Sequence, residues 1–132
     1  MADDWTQKDA NSFNNNTRAL VDEYNKLAVL PGLYINGNLN LTENIADSTG
    51  VTVTYHAYKL SEKADPEKID GFTGDQRFFL SFAQMWRQSK TDEASRTQVL
   101  TNPHSSAKSR TNGIVPNVPE FYQAFPDVKP GD

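Results

Sequence analysis

The chain has 132 residues, 36% of them apolar and 23% charged, with seven Phe, five Tyr and two Trp; that is one domain's worth of chain, and its aromatic content argues against disorder. Thirteen basic against 17 acidic residues leave a net charge of −4, which excludes the basic footprint of a nucleic-acid binder. With no cysteine and two histidines, His56 and His104, a disulfide framework, a thiolate zinc site and a Cys nucleophile are excluded, and a three-ligand zinc site falls short unless carboxylates join it.

No apolar run reaches the roughly 18 residues of a membrane span, and the start, Met1 to Trp5, is acidic rather than a basic signal segment. Thr6 followed by Asp9 reads as a capping box. Phe13, Leu20, Val21, Tyr24 and Leu27 then recur at helical spacing, and Pro31-Gly32 is expected to stop that helix. Leu33 to Leu41 alternates through Asn36-Gly37, as a short hairpin or an extended loop. Thr42 to Leu60 supports two readings. Val51 to Tyr55 is β-branched and alternating, as in a strand, whereas Ile45, Thr49, Thr52, Val53, His56, Ala57 and Leu60 form a helical stripe that would make His56 a core or boundary residue.

Lys59 to Asp70 is a charged connector containing Pro66. Thr73-Gly74-Asp75-Gln76 is a second capping box, opening a helix from Arg77 to Trp86 that is apolar on nearly every face, as for a helix buried within something larger. Thr91 to Leu100 reads as a short helix, and Thr101 to Asn117 as a long loop. Asn117 with Glu120 is expected to cap a last helix carrying Phe121, Ala124 and Phe125, ended by Pro126.

Glu43 and Asp47, four residues apart, share a face if their segment is helical. The ordinary reading is two solvated carboxylates near a helix start; the sharper one is a metal ligand, Glu43, with Asp47 orienting another ligand. His104 and Arg110 lie in the polar loop, either as surface residues or as a pair of donors for a developing oxyanion and a substrate carbonyl. Ser105 and Ser106 adjoin His104, but no nucleophile elbow accompanies them, and a serine hydrolase is not supported.

Taken together, three blocks resemble one family. Ile35 to Asp47 (I-N-G-N-L-N-L-T-E-N-I-A-D) is similar to a segment of the neprilysin and endothelin-converting-enzyme family of zinc metallopeptidases. Asp70 to Trp86 resembles that family's D-G-x-T-x-x-Q-x-F-F-x-x-x-A-x-x-W block. Pro103-His104-Ser105, Arg110, Asn112-Gly113, Asn117 and Phe121 to Phe125 resemble its H-S-P-x-x-x-R-x-N-G…N…F-x-x-A-F block. The resemblance implies a mainly α-helical fold, the C-terminal portion of a thermolysin-like metallopeptidase catalytic domain, with residues 42–60 as one helix. It further implies Glu43 as the third zinc ligand and Asp47 as the acid bonded to a zinc-binding His. His104 becomes the stabiliser of the transition state and Arg110 the residue that binds a substrate carbonyl.

The family's H-E-x-x-H segment, which carries two His ligands and the general base, is absent. Thr42, Thr49, Asn102 and Ser106 also depart from the family pattern, at positions of Gly, Gly, Asp and Pro. The chain is therefore expected to be a single partial domain over 1–132, truncated at both ends relative to the family. It is expected to be inactive alone and to bind zinc weakly or not at all, with peptide as the substrate of the intact enzyme. Self-association through exposed apolar surface is expected, and the lack of cysteine fits a bacterial cytoplasmic oligopeptidase, with an extracellular setting left open. The alternatives are a degenerate, non-catalytic helical binding module and a metal held by Glu43 and His104 between two molecules.

Overall fold

In the computed structural model, which describes residues 4–61, 64 and 67–131, the Thr6 box caps α1 (Gln7–Tyr24): the Thr6 hydroxyl accepts from the Asp9 N–H and the Asp9 carboxylate accepts from the Thr6 N–H. The helix ends at Tyr24, not at Pro31. The amides of Lys26 and Leu27 turn back onto the Glu23 and Tyr24 carbonyls, which frees the next residues to pair. Ala28–Leu30 (β1) and Leu33–Tyr34 (β2) form an antiparallel hairpin, with Leu30 opposite Leu33. The hairpin thus turns at Pro31-Gly32 rather than at Asn36-Gly37. Proline presets the first turn position, and Gly32 takes φ +73° at the second, the combination a type II turn needs.

Residues Leu41–Leu60 form one helix, α2, so the strand-like pattern of Val51 to Tyr55 yields to packing. Val51 and Tyr55 are buried in a cluster with Phe79, Ile114, Val115 and Val118. The stripe expected to face inward faces out instead: Val53 is 61% and Leu60 90% exposed. His56 lies on that outer face with its side chain 62% exposed, its Nε2 3.6 Å from Glu120 Oε1. It is therefore a surface residue, because the inward face runs through Asn44, Val51 and Tyr55.

The second capping box opens α3 (Gly74–Met85) as expected, Thr73 accepting from the Gln76 N–H and Gln76 from the Thr73 N–H. Only Gly74 and Phe79 of α3 are buried, and Met85 is 65% exposed, so the helix shows an apolar flank within the described residues. Pro66, in the expected connector, lies outside the described residues. Helix α4 (Asp92–Thr101) is capped by Thr91. The expected loop 101–117 is largely helical: α5 spans Ala107–Ile114, followed by a 3-10 turn over Val115–Asn117. Its Ser, Thr, Asn and Gly content is poor for a free helix, but Ala107, Ser109, Gly113 and Ile114 are small or apolar residues buried against the rest. Gly113 is required there, since a Cβ would lie 2.5 Å from Cζ of Tyr24. Helix α6 (Pro119–Ala124) begins at Val118 with no side-chain cap and Pro119 in its first turn. Asn117 does not cap it, because it stands one residue before the N-cap position, Val118; its Nδ2 donates instead to the Glu23 carboxylate and the Gly113 carbonyl.

A second apolar cluster joins Tyr24, Ile35 and Val99, flanked by Leu20, Leu27, Val29 and Leu33. Helices α1, α2 and α5 pack on one another in pairs. The N-terminal half of α2 is thereby presented to the segment that runs from the end of α4 into α5.

Candidate functional site

Four polar residues, Asn40, Glu43, Asn44 and Asp47, share one face at the start of α2, spaced by three and four. Each meets a residue of the 102–110 segment, in the same order along both. Asn40 Nδ2 donates to the Asn102 carbonyl at 3.0 Å. Glu43 Oε2 lies 3.0 Å from His104 Nε2. Ser105 Oγ donates to Asn44 Oδ1 at 2.8 Å. The Arg110 guanidinium donates from Nε to Asp47 Oδ2 at 2.6 Å and from Nη2 to Oδ1 at 2.5 Å.

The four rungs differ in exposure. Asn40, Asn44 and Ser105 are buried, at 3%, 1% and 2%. Asp47 and Arg110 side chains are 19% and 16% exposed, and Glu43 and His104 are more open, at 37% and 45%. The open pairs line the outer edge, and the amide and hydroxyl pairs sit behind them. Asparagine at position 40 starts the helix without capping it through its side chain, and its Nδ2 reaches across to the Asn102 carbonyl.

The Asp47–Arg110 pair is two-pronged and charge-assisted, a geometry that fixes the guanidinium plane. Arg110 also stacks on Trp86, with Cζ 3.8 Å from the ring centroid, a cation–π contact. Beside this pair a cavity of about 670 Å³ opens between α2 and α3, lined among others by Asp47, Val51, Phe78, Phe82, Met85 and Trp86. Behind it, Tyr24 is completely buried, and its hydroxyl has no hydrogen-bond partner among the described residues. Burial pushes the Tyr24 phenol well above its ordinary pKa, helped by the charges of Asp47 and Glu23 and opposed by Arg110. His104 is held from behind as well: Asn102 Oδ1 accepts from the His104 N–H at 2.8 Å and lies 3.2 Å from its Nδ1.

The structure thus brings together all four residues singled out in the sequence, Glu43, Asp47, His104 and Arg110, on one face. It adds Asn40, Asn44, Ser105 and Trp86. The spacing of Asn40, Asn44 and Asp47 on one helical face was the signal available for the two asparagines; Ser105 and Trp86 stood within the family-like blocks, but nothing there marked what they touch. Among the described residues no group of three or more His, Asp or Glu could hold a metal ion. Glu43 is a single anionic donor, and a zinc site takes three or four ligands, so these residues do not by themselves fit a complete metal site.

The profile of peptidase family M13 matches residues 1–132. The chain is 37% identical to an endothelin-converting enzyme homolog of Locusta migratoria over 92% of its own length and 17% of that protein. It is 33% identical to neprilysin-1 of Caenorhabditis elegans, over 95% of this chain and 18% of that one. The crystal structure of the Mycobacterium tuberculosis zinc metalloprotease Zmp1 in complex with inhibitor superposes with a TM-score of 0.85 at 36% identity, covering 97% of this chain and 20% of Zmp1. The chain therefore spans a fifth or less of the length of each of these relatives.

Proposed function

Since the chain belongs to peptidase family M13, we propose that its α2–α5 face is the substrate-side part of a zinc-dependent peptidase site that is completed by the rest of a longer enzyme. The observation that carries this reading is the convergence of Glu43, Asp47, His104 and Arg110 on one half-open edge, each fixed by a partner. In this reading Glu43 serves as one zinc ligand, the other donors and the general base coming from outside these residues. When bound there, zinc would polarise the scissile carbonyl and lower the pKa of a water.

The remaining roles belong to this chain's own groups. His104 donates a hydrogen bond from its ring to the oxygen that gains charge as the carbonyl is attacked. The Arg110 guanidinium is held in one orientation by Asp47 through Nε and Nη2, which directs its Nη1 edge toward a substrate backbone carbonyl. Asp47 has accepted one bond on each oxygen, and a carboxylate can accept more; its further acceptor capacity suits it to orient a ligating imidazole of the completed site. The cavity beside Trp86 gives an apolar side chain of a peptide somewhere to go.

The isolated chain is accordingly expected to hydrolyse no peptide, and chelator-sensitive turnover by the purified chain would refute this. In a longer peptidase carrying the segment, Glu43→Ala should lower zinc content per chain. Unchanged zinc content would remove Glu43 from the ligand set.

A further inference from the structure

We propose that Asn40, Asn44 and Ser105 are positioning residues that hold the 102–106 turn against α2 and so set the His104 ring opposite Glu43. This rests on the reading of His104 as a substrate-side donor. His104 belongs to the exposed part of a short connection between α4 and α5, where a side chain would ordinarily sample several rotamers. Here the residues on either side of it are tied down. Two positions before it, the Asn102 carbonyl accepts from Asn40 Nδ2. Immediately after it, the Ser105 hydroxyl is spent on Asn44 Oδ1, while Gln98 Nε2 reaches the Ser105 carbonyl from α4 at 3.3 Å. Asn102 then passes the constraint on, its Oδ1 accepting the His104 N–H.

The burial of these groups points the same way. An amide at 1% exposure is costly, and Asn44 Nδ2 finds no acceptor among the described residues. A leucine at position 44 would remove that open Nδ2 donor but would leave the buried Ser105 hydroxyl without its acceptor. What asparagine supplies and leucine does not is an acceptor at a fixed height on α2, one residue from Glu43. Asn40 and Asn44 stand four apart on the face that also carries Glu43, so the helix itself sets the spacing between anchor and carboxylate. Glu43 and His104 are thereby placed relative to one another by one buried and one part-buried bond, beside their own half-exposed contact.

The test is amide hydrogen exchange followed by NMR on this chain, with Asn44→Leu and Ser105→Ala removing the anchor and Asn44→Asp keeping an acceptor oxygen. The His104 amide should exchange about tenfold faster or more in the first two and come back to within about twofold of the parent in the third. The ratio of His104 to Phe79 exchange reports the local effect even where a variant is weakened globally. An unchanged ratio in Asn44→Leu and Ser105→Ala would overturn the proposal. In a longer peptidase that carries this segment, the same two variants should lower kcat by about tenfold or more with KM within about twofold. A changed exchange ratio with unaltered kcat would sustain the positioning and overturn the part given to His104 in the reaction.

Discussion

Asp47 and Arg110 join residues 63 apart in sequence, and a double-mutant cycle measures what that join contributes. The pair has two short N–H···O bonds, and its side chains are 19% and 16% exposed. An exposed ion pair contributes about 0–1 kcal/mol, whereas breaking a fully buried one costs about 3–5 kcal/mol. With about four-fifths of each side chain buried, Asp47→Ala should destabilise by about 2–3 kcal/mol, most of it the cost of a guanidinium left without its acceptor. Arg110→Ala should cost about 1 kcal/mol more, because it also gives up the stack on Trp86. The coupling between the two sites should be about 2 kcal/mol. Urea unfolding of the parent, the two single variants and the double variant, followed by tryptophan fluorescence and by circular dichroism, supplies the four free energies. Trp86 lies under the guanidinium and should report the loss of Arg110 directly. A coupling below about 0.5 kcal/mol would mean that solvent screens the pair as it does a surface bridge, and Asp47 would then not be what fixes the guanidinium.

Three further expectations concern the buried Tyr24. Tyr24→Phe removes a hydroxyl that has no partner among the described residues and should raise stability by about 1 kcal/mol; a loss of stability would show that the hydroxyl is satisfied in solution. The folded-state pKa of Tyr24 lies above its ordinary value of 10.0, from burial first and then from Asp47 and Glu23. Its contribution is therefore full below pH 10 and is lost as pH rises beyond that, so the advantage of the Phe variant should widen in alkaline melts. Gly113→Ala would normally stabilise a helix interior by about 1 kcal/mol. Here the new Cβ meets the Tyr24 ring at 2.5 Å, so the variant should lose about 2 kcal/mol, and a raised melting midpoint would refute the contact.

The parts of the fold legible in the sequence are those decided locally. Thr6 with Asp9 and Thr73 with Gln76 cap their helices because each box is complete within four residues. Residues 51–55 were ambiguous because β-branched preference is worth under about 1 kcal/mol and is overridden once Val51 and Tyr55 reach Phe79 and Ile114. Helix α5 was illegible for the opposite reason: Ala107, Ser109 and Gly113 have little hydrophobic signal, and they are small because other elements press on them. At the site, the identities of Glu43, Asp47, His104 and Arg110 were available from the motifs, but their pairing was not. Glu43 with His104 and Asp47 with Arg110 bridge over 60 residues of chain, and no periodicity spans that distance. Asn40 and Asn44 read as unremarkable polar residues because an asparagine's burial is invisible until its partner is known.

The matched order of the four rungs implies that the two halves of the edge are governed by different parts of the chain. On α2 the rungs cover Asn40 to Asp47, about 10 Å of helix at 1.5 Å per residue, and a helix of that kind holds Glu43 and Asp47 rigidly to one another. Across from it, His104 sits in a turn, but Arg110 is already one turn inside α5. His104 therefore takes its position from the bonds that pin the turn, Asn40 to Asn102 and Ser105 to Asn44. The Arg110 backbone takes its own from the packing of α5, where Gly113, three residues on, lies against Tyr24, and its guanidinium is fixed by Asp47. Changes to the buried amides should move the donor facing Glu43 and leave Arg110 in place, and changes to the Tyr24–Gly113 contact should do the reverse.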